Sequence, residues 1–221
     1  PQLSYPVNEA FNTLSTNVSF LGRNIKKIML TSSHASEGKS FTSLTLCRKL
    51  AERGKRVVLV DTDLRRSMIT TVYGVQFAPG SKKQGLSHYL AGIAEKEEIL
   101  FHTNVPGMDF IPMGHELLNP IPLLSSERFQ NLLDGLAERY DYVIVDAAPV
   151  GVVIDAAEIA KVCDGILLVV SYNQVHRQEL IDAKNQLEQT GCPILGTILN
   201  QVDYEGFANT KYYYKSHYSS Y

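Results

Sequence analysis

A short polar loop between an apolar run and a helix-compatible segment limits the folds open to this chain. The apolar run begins at Ile28, and the loop after it ends in Gly38, Lys39 and Ser40. A helix-compatible segment over 41–53 follows directly. Backbone N–H groups at the start of a helix, together with the helix dipole, favour a bound anion. The order of strand, loop and helix therefore predicts a phosphate-binding loop in an α/β protein.

The loop departs from the usual phosphate-binding pattern at one position. Ser33 stands where the pattern G-x-x-x-x-G-K-[ST] has its first glycine. The tripeptide Gly-Lys-Ser/Thr alone occurs by chance in roughly one chain in ten of this length, so a plain strand-to-helix turn is the alternative. Under the phosphate interpretation, Lys39 reaches the β- and γ-phosphates of a nucleotide and the Ser40 hydroxyl binds Mg²⁺.

Two further apolar runs end in acidic residues, which favours the phosphate interpretation. The run 57–60 precedes Asp61 and Asp63, and the run 142–145 precedes Asp146. Short runs rich in β-branched residues are typical of buried parallel strands. A single aspartate after a strand is usually a helix cap or a turn residue. Because ligands of open α/β sheets bind at the carboxyl edge, several carboxylates beside the loop instead predict a site for Mg²⁺, which prefers oxygen ligands.

Apolar runs and helix-compatible segments alternate along the chain. Strands are expected at about 27–32, 56–61, 108–112, 142–147, 165–171 and 193–199. Helices are expected at about 6–20, 40–53, 86–91, 122–139, 153–162 and 175–190. This alternation predicts an α/β fold with a doubly wound, mainly parallel sheet of the P-loop NTPase type. We expect residues 1–203 to form one domain and 76–84 to form a loop.

Composition excludes several classes of function. The 221 residues are 44% hydrophobic and carry a formal net charge of −2, so bulk charge gives no reason to expect a nucleic-acid or membrane partner. No apolar run approaches the length of a membrane span, and no signal peptide is visible. Cys47, Cys163 and Cys192 lack metal-ligand spacing and are expected to be reduced core thiols of a cytosolic protein.

The last eighteen residues, 204–221, differ in composition from the rest of the chain. They contain six tyrosines but no Leu, Ile, Val or Met, so they cannot bury enough apolar area to offset their ordering entropy. We therefore expect a flexible tail. Its tyrosines are either phosphate acceptors or an aromatic arm that adheres to surfaces or stacks on nucleic acid. The candidate acceptors are Tyr212, Tyr213, Tyr214, Tyr218 and Tyr221.

In combination, these motifs resemble the bacterial tyrosine kinases of capsule and exopolysaccharide synthesis. The phosphate-binding loop corresponds to the family's Walker A motif. The run that ends in Asp61, Asp63 and Arg65 resembles Walker A′, and the run that ends in Asp146 and Pro149 resembles Walker B. A C-terminal tyrosine cluster is also typical of the family, and the similarity covers essentially the whole chain. The resemblance implies a protein-tyrosine kinase that transfers the γ-phosphoryl group of ATP to tyrosines of its own tail in trans.

The resemblance also implies roles for individual residues. Lys39 and the loop amides are expected to hold the phosphates, and Ser40, Asp63 and Asp146 are expected to hold Mg²⁺. The tyrosine proton is expected to pass to Asp61, with Asp63 open to the same role. The residues that contact the nucleotide are expected to be Ser36, Glu37, Gly38, Lys39, Ser40, Phe41 and Asn200.

Two of these assignments keep an alternative. Asn200 lies where relatives contact the adenine, or it is an ordinary turn residue. Arg65 orients the acidic cluster, or it forms an ordinary ion pair. Ser171 stands where an arginine often follows the preceding strand in the family.

The resemblance further implies a cellular setting. The kinase is expected in the cytoplasm, at the inner face of the plasma membrane, activated by the cytoplasmic segment of a transmembrane adaptor and opposed by a cognate phosphatase. Ring-like self-association through the first helix, 6–20, is implied as well. Asn12 and Ser15 replace the two arginines usual in that helix, so weak association is expected. Two other functions stay open: a partitioning-type ATPase switch, and a degenerate nucleotide-binding regulator without turnover.

Overall fold

Strands from across the chain form one sheet in the computed structural model, which describes residues 3–72, 77 and 83–202. The strands are β1 (Lys27–Ser32), β2 (Val57–Asp61), β3 (Phe101–His102), β4 (Met108–Ile111), β5 (Tyr142–Asp146), β6 (Gly165–Ser171) and β7 (Ile194–Asn200). Their order across the sheet is β3-β4-β2-β5-β1-β6-β7. Neighbouring strands are parallel except for the short edge pair β3 and β4.

Helices occupy most of the connections between the strands. They are α1 (Tyr5–Ser19), α2 (Lys39–Glu52), α3 (Ile69–Val72), α4 (Leu86–Leu90), α5 (Lys96–Ile99), α6 (Ile121–Leu124), α7 (Glu127–Arg139), α8 (Asp155–Ala160) and α9 (Arg177–Glu188). Successive side chains of a strand point to opposite faces of the sheet, so both faces need a cover. In β1, Ile28 and Leu30 pack into the core on one face, and Met29 packs into the core on the other. The predicted doubly wound, mainly parallel α/β fold is confirmed.

Several short elements escaped the sequence prediction. The strand β3 and the helices α3 and α5 have at most four residues each, too few to show a hydrophobic period. The helix predicted over 122–139 is two helices, because Ser126 begins α7 by accepting a hydrogen bond from the backbone N–H of Phe129 at 3.3 Å. Of the predicted loop 76–84, only 77, 83 and 84 are described.

The remaining expectations concern thiols, membranes and the C-terminal segment. All three cysteines are free, and burial raises the pKa of each thiol, in keeping with unreactive core positions. Among residues 3–72, 77 and 83–202, no helix has the length and apolarity needed to cross a bilayer. The candidate acceptors Tyr212, Tyr213, Tyr214, Tyr218 and Tyr221 lie outside the described residues.

Candidate active site

The loop between β1 and α2 has a backbone conformation that places its last residues against the end of β7, two strands away from β1 in the sheet. Gly38, the N-cap of α2, has φ 83°, and Ser36 has φ 66°. A Cβ atom on Gly38 would lie 2.1 Å from Nδ2 of Asn200. Because of both the positive φ and this close approach, only glycine fits the position without movement of its neighbours.

Glu37 holds this loop from within. Its side chain is buried, and one carboxylate oxygen accepts hydrogen bonds from the Ser33 hydroxyl at 2.8 Å and the His34 N–H at 2.7 Å. The other oxygen accepts a hydrogen bond from the backbone N–H of Ser171, the last residue of β6, at 2.9 Å. The Glu37 carboxylate thus makes its hydrogen bonds within the protein, and the backbone N–H of Glu37 is the group left to bind a nucleotide.

Lys39 and Ser40 meet the aspartate at the end of β5. Nζ of Lys39 lies 3.0 Å from Oδ2 of Asp146, and the Ser40 hydroxyl donates to the same oxygen at 2.7 Å. The Ser43 hydroxyl donates to the other oxygen, Oδ1, at 2.8 Å. All four side chains are buried. The sequence prediction missed Ser43, although its spacing of four residues from Lys39 places both on one face of α2.

The two aspartates at and just after the end of β2 occupy different environments. Asp61 pairs with Asp146 across the β2–β5 ladder, is fully buried, and accepts a hydrogen bond from the Ser67 hydroxyl. Burial, and next the negative charge of Asp146, raise the pKa of Asp61 from 3.8 to about 8. Burial also raises the pKa of Asp63, which is 9% exposed and lies on the wall of a cavity. Ser67 was another residue that the sequence prediction missed.

This cavity lies at the carboxyl edge of the sheet, where ligands of such sheets bind. Its volume of about 530 Å³ suits a small-molecule ligand. Six of the predicted site residues line it: Ser36, Glu37, Gly38, Lys39, Ser40 and Asp63. Met68, Val152 and Val153 add apolar surface, and Arg66 and Gln201 also line the wall.

Four predicted site residues lie behind or beside this wall. Asp61 and Asp146 lie behind the wall, at the ends of β2 and β5. The Phe41 ring packs edge to face on Phe11 of α1, with 5.9 Å between the ring centroids. The Asn200 side chain donates to the carbonyl oxygen of Glu37 at 2.8 Å, so the structure gives it a contact with the loop.

Arg65, which lines the same cavity as Asp63, forms an ion pair with the first residue of α8. Its Nε lies 2.6 Å from Oδ2 of Asp155 and its Nη2 lies 3.0 Å from Oδ1, which makes the contact bidentate. A third nitrogen, Nη1, donates to the carbonyl oxygen of Leu118 at 2.9 Å. The structure therefore gives Arg65 the ion pair of the second predicted role, while the role of orienting the acidic cluster stays a prediction.

The charge balance of the site suits a cation that arrives with its ligand. Asp61, Asp63 and Asp146 lie near the single lysine of the loop, and burial is the main cause that raises the pKa of Asp61 and of Asp63. Within the described residues, no group of three or more His, Cys, Asp or Glu side chains is arranged to hold a metal ion by itself. Magnesium in nucleotide sites typically takes one or two protein ligands, waters and phosphate oxygens, which these residues fit.

The comparisons with known proteins agree with this geometry. Residues 25–190 match a family model described as an AAA domain. The tyrosine-protein kinase CpsD of Streptococcus agalactiae serotype III (strain NEM316) is 40% identical over 195 residues, which cover 88% of this chain and 82% of that protein.

Solved structures give the same result. The kinase domain of the Escherichia coli tyrosine kinase ETK superposes with a TM-score of 0.81 at 33% identity, covering 88% of this chain and 75% of that one. The chimerical protein CapA2B2 superposes with a TM-score of 0.83 at 28% identity, covering 90% and 86%. The chain therefore belongs to the bacterial tyrosine-protein kinases and is a nucleotide-binding protein-tyrosine kinase.

Proposed function

We propose that this kinase uses Mg²⁺-ATP to phosphorylate, in trans, the tyrosines of its own C-terminal segment, and that it thereby regulates the synthesis and export of capsular or exopolysaccharide. The observation that carries the proposal is the shared wall of one cavity, where Lys39 and Ser40 of the loop lie with Asp63 of the opposite strand end. A phosphate-binding loop and a carboxylate at one cavity are two of the parts that phosphoryl transfer to a hydroxyl uses.

The loop and its lysine hold the nucleotide in this proposal. The N–H groups at the start of α2 bind the phosphates, and Lys39 compensates the charge that develops on the transferred group. Ser40 and Asp146 would hold Mg²⁺, which would neutralise phosphate charge when it is bound. The hydrogen bond between Ser40 and Asp146 places the hydroxyl beside the carboxylate.

We assign the tyrosine proton to Asp63 and give Asp61 a supporting role. Asp63 reaches the cavity wall, whereas Asp61 is fully buried and closed off by Ser67. An acceptor hydroxyl must come within hydrogen-bond reach of its base, so position decides between two neighbouring carboxylates. The raised pKa of Asp63 makes it a stronger base than an ordinary aspartate.

Transfer in trans is the route we propose for the tail. The tail follows β7 in the sequence, and β7 is an edge strand of the sheet. We propose that the tail enters the cavity of a neighbouring molecule. Each phosphotyrosine adds about −1.5 to −2 charges, so five would add roughly −7.5 to −10. Against a formal net charge of −2 for the unmodified chain, that charge would drive modified tails away from the acidic site and from one another.

A mixing experiment tests transfer between molecules. A full-length Lys39→Met chain, which supplies the tail, is incubated with Mg²⁺-ATP and a wild-type chain that lacks residues 204–221. Mass spectrometry is expected to find phosphotyrosine on the tail of the Lys39→Met chain. An unmodified tail in this mixture, with a modified tail on the full-length wild type, would establish transfer within one molecule instead.

The cellular setting is also part of the proposal. We propose that the kinase works in the cytoplasm at the inner face of the plasma membrane, where the cytoplasmic segment of a transmembrane adaptor activates it and a cognate phosphatase resets its tail. This setting is supported only by the resemblance of the sequence motifs to those of the bacterial tyrosine kinases.

Weak self-association is a prediction that arises from α1. Ser15 is buried against α2, where Nη1 of Arg53 lies 3.3 Å from its hydroxyl, and Asn12 donates to Glu9 at 2.9 Å. Neither side chain can replace the bidentate, charge-assisted contacts of an arginine. Light scattering with Mg²⁺-nucleotide at micromolar concentration is expected to show mainly small species, and a single tight ring would contradict the prediction.

A further inference from the structure

Two consecutive side-chain amides at the end of β7 donate hydrogen bonds to the phosphate-binding loop. Nδ2 of Asn200 donates to the carbonyl oxygen of Glu37 at 2.8 Å, and Nε2 of Gln201 donates to the carbonyl oxygen of Ser36 at 2.8 Å. A carbonyl oxygen can only accept a hydrogen bond, so the NH₂ end of each amide must face the loop. Two successive peptide groups of the loop are therefore fixed from the same side.

Ser171 completes this arrangement from the neighbouring strand. It pairs with Asn200 across the β6–β7 ladder, and its hydroxyl donates to Oε1 of Gln201 at 2.7 Å. Its backbone N–H donates to the Glu37 carboxylate at 2.9 Å. Ser171 is buried, so its two hydrogen bonds tie the amide of Gln201 and the interior of the loop to one fixed point.

The geometry of a trans peptide means that these hydrogen bonds also set the direction of the N–H groups of the loop. The C=O and the N–H of one peptide group point in opposite directions. Because the carbonyls of Ser36 and Glu37 face β7, the N–H groups of Glu37 and Gly38 point away from it, toward the cavity that both residues line. If either peptide turned over, a carbonyl dipole would replace a donor at the place where phosphate binds.

The loop needs such support because its conformation is strained. Ser36 has φ 66° and Gln201 itself has φ 57°, a region that residues with a Cβ atom adopt at a cost. Strained residues of this kind persist where surrounding contacts over-determine them. The hydrogen bond between the Gln201 side chain and the Ser36 carbonyl joins the two strained positions directly.

We propose that Gln201 and Ser171 are positioning residues for the nucleotide, which fix the loop peptides so that the N–H groups of Glu37 and Gly38 face the phosphates. This inference rests on the proposed function, since it concerns the same nucleotide site. It extends that function to two residues outside the Walker motifs. The side-chain hydrogen bonds of Gln201 and Ser171 are called the clamp. The ground state and the transition state use the same N–H groups, so the clamp is expected to act on nucleotide affinity rather than on turnover.

Calorimetric titration of ADP, with tail phosphorylation measured in parallel, tests the clamp. Gln201→Met keeps the length of the side chain and removes its donor, and Ser171→Ala removes the hydroxyl alone. The loss of one hydrogen bond is expected to raise the Kd for ADP and the KM for ATP about 3- to 10-fold, with kcat nearly unchanged. Gln130→Met, at an exposed position of α7, is the matched control and is expected to leave the Kd unchanged.

The double variant separates a clamp from a general loss of stability. Ser171 acts through the Gln201 side chain, so Ser171→Ala is expected to raise the Kd much less in the Gln201→Met background than in the wild type. Equal effects in both backgrounds, or an unchanged Kd in Gln201→Met, would overturn the proposal. If Gln201→Met does not fold, Ser171→Ala alone decides the outcome by its Kd. A wild-type chain that binds no ADP would overturn the proposed function and the clamp together.

Discussion

Replacing Lys39 with methionine is expected to lower tyrosine phosphorylation by about 10²-fold or more, the typical cost of losing a fixed charge that stabilises the transition state. Lys39 is buried at the cavity wall, and its Nζ lies 3.0 Å from Oδ2 of Asp146. The loop itself supplies no other cationic side chain than Lys39 and, when protonated, His34. Phosphotyrosine formed per minute by the purified variant, at saturating Mg²⁺-ATP, measures the loss.

The Lys39→Met variant is expected to keep its fold. Methionine retains most of the apolar stem, and Asp146 keeps its hydrogen bonds from Ser40 and Ser43. Circular dichroism checks this point. Lys49→Met is the matched control on the same helix, because Lys49 pairs with Glu52 at 2.8 Å, at the end of α2 remote from the loop. Near wild-type phosphorylation by the folded Lys39→Met variant would contradict the assignment of the phosphate-binding loop.

Asp63→Asn is expected to lower the rate of transfer by about 10²-fold, the lower end of the range for loss of a general base. The variant keeps the shape of the side chain and removes its ability to accept the tyrosine proton. ADP affinity is expected to change much less, because the loop amides remain in place. Single-turnover transfer and ADP titration, measured on the same preparation, separate the two effects.

Asp61→Asn is the matched comparison for Asp63→Asn. Asp61 is fully buried and does not line the cavity, and an asparagine there can still accept the hydrogen bond from Ser67. We therefore expect Asp61→Asn to keep more activity than Asp63→Asn. A larger loss in Asp61→Asn would assign the tyrosine proton to Asp61. Near wild-type turnover of both variants would exclude Asp61 and Asp63 as the base.

The sequence was sufficient to predict the architecture because parallel buried strands have a strong local signature. The apolar run that became β1 leads into the phosphate-binding loop, and those that became β2 and β5 each end at an aspartate of the site, so the edge of the sheet follows from the order of the elements. Short elements such as β3 depend on their neighbour for pairing and have no pattern of their own.

The supporting contacts of the site could not be predicted in the same way. Ser67 and Gln201 are ordinary polar residues in sequence, and their roles depend on which group the fold brings opposite them. The hydrogen bond from Gln201 to Ser36 joins residues 165 positions apart, and the partner of Arg65 lies 90 positions away at Asp155. Contacts between residues so far apart leave no local pattern in the sequence. The motifs therefore identified the reacting groups but not the residues that hold them in place.

The most direct test of the kinase assignment is mass spectrometry of the full-length chain after incubation with Mg²⁺-ATP, with Lys39→Met in parallel. We predict phosphotyrosine in the wild-type segment 204–221, at several of its five candidate acceptors, and none in the variant incubated alone. Hydrolysis of ATP to ADP without phosphotyrosine on the wild-type chain would contradict the account, because it would identify the site as that of an ATPase switch.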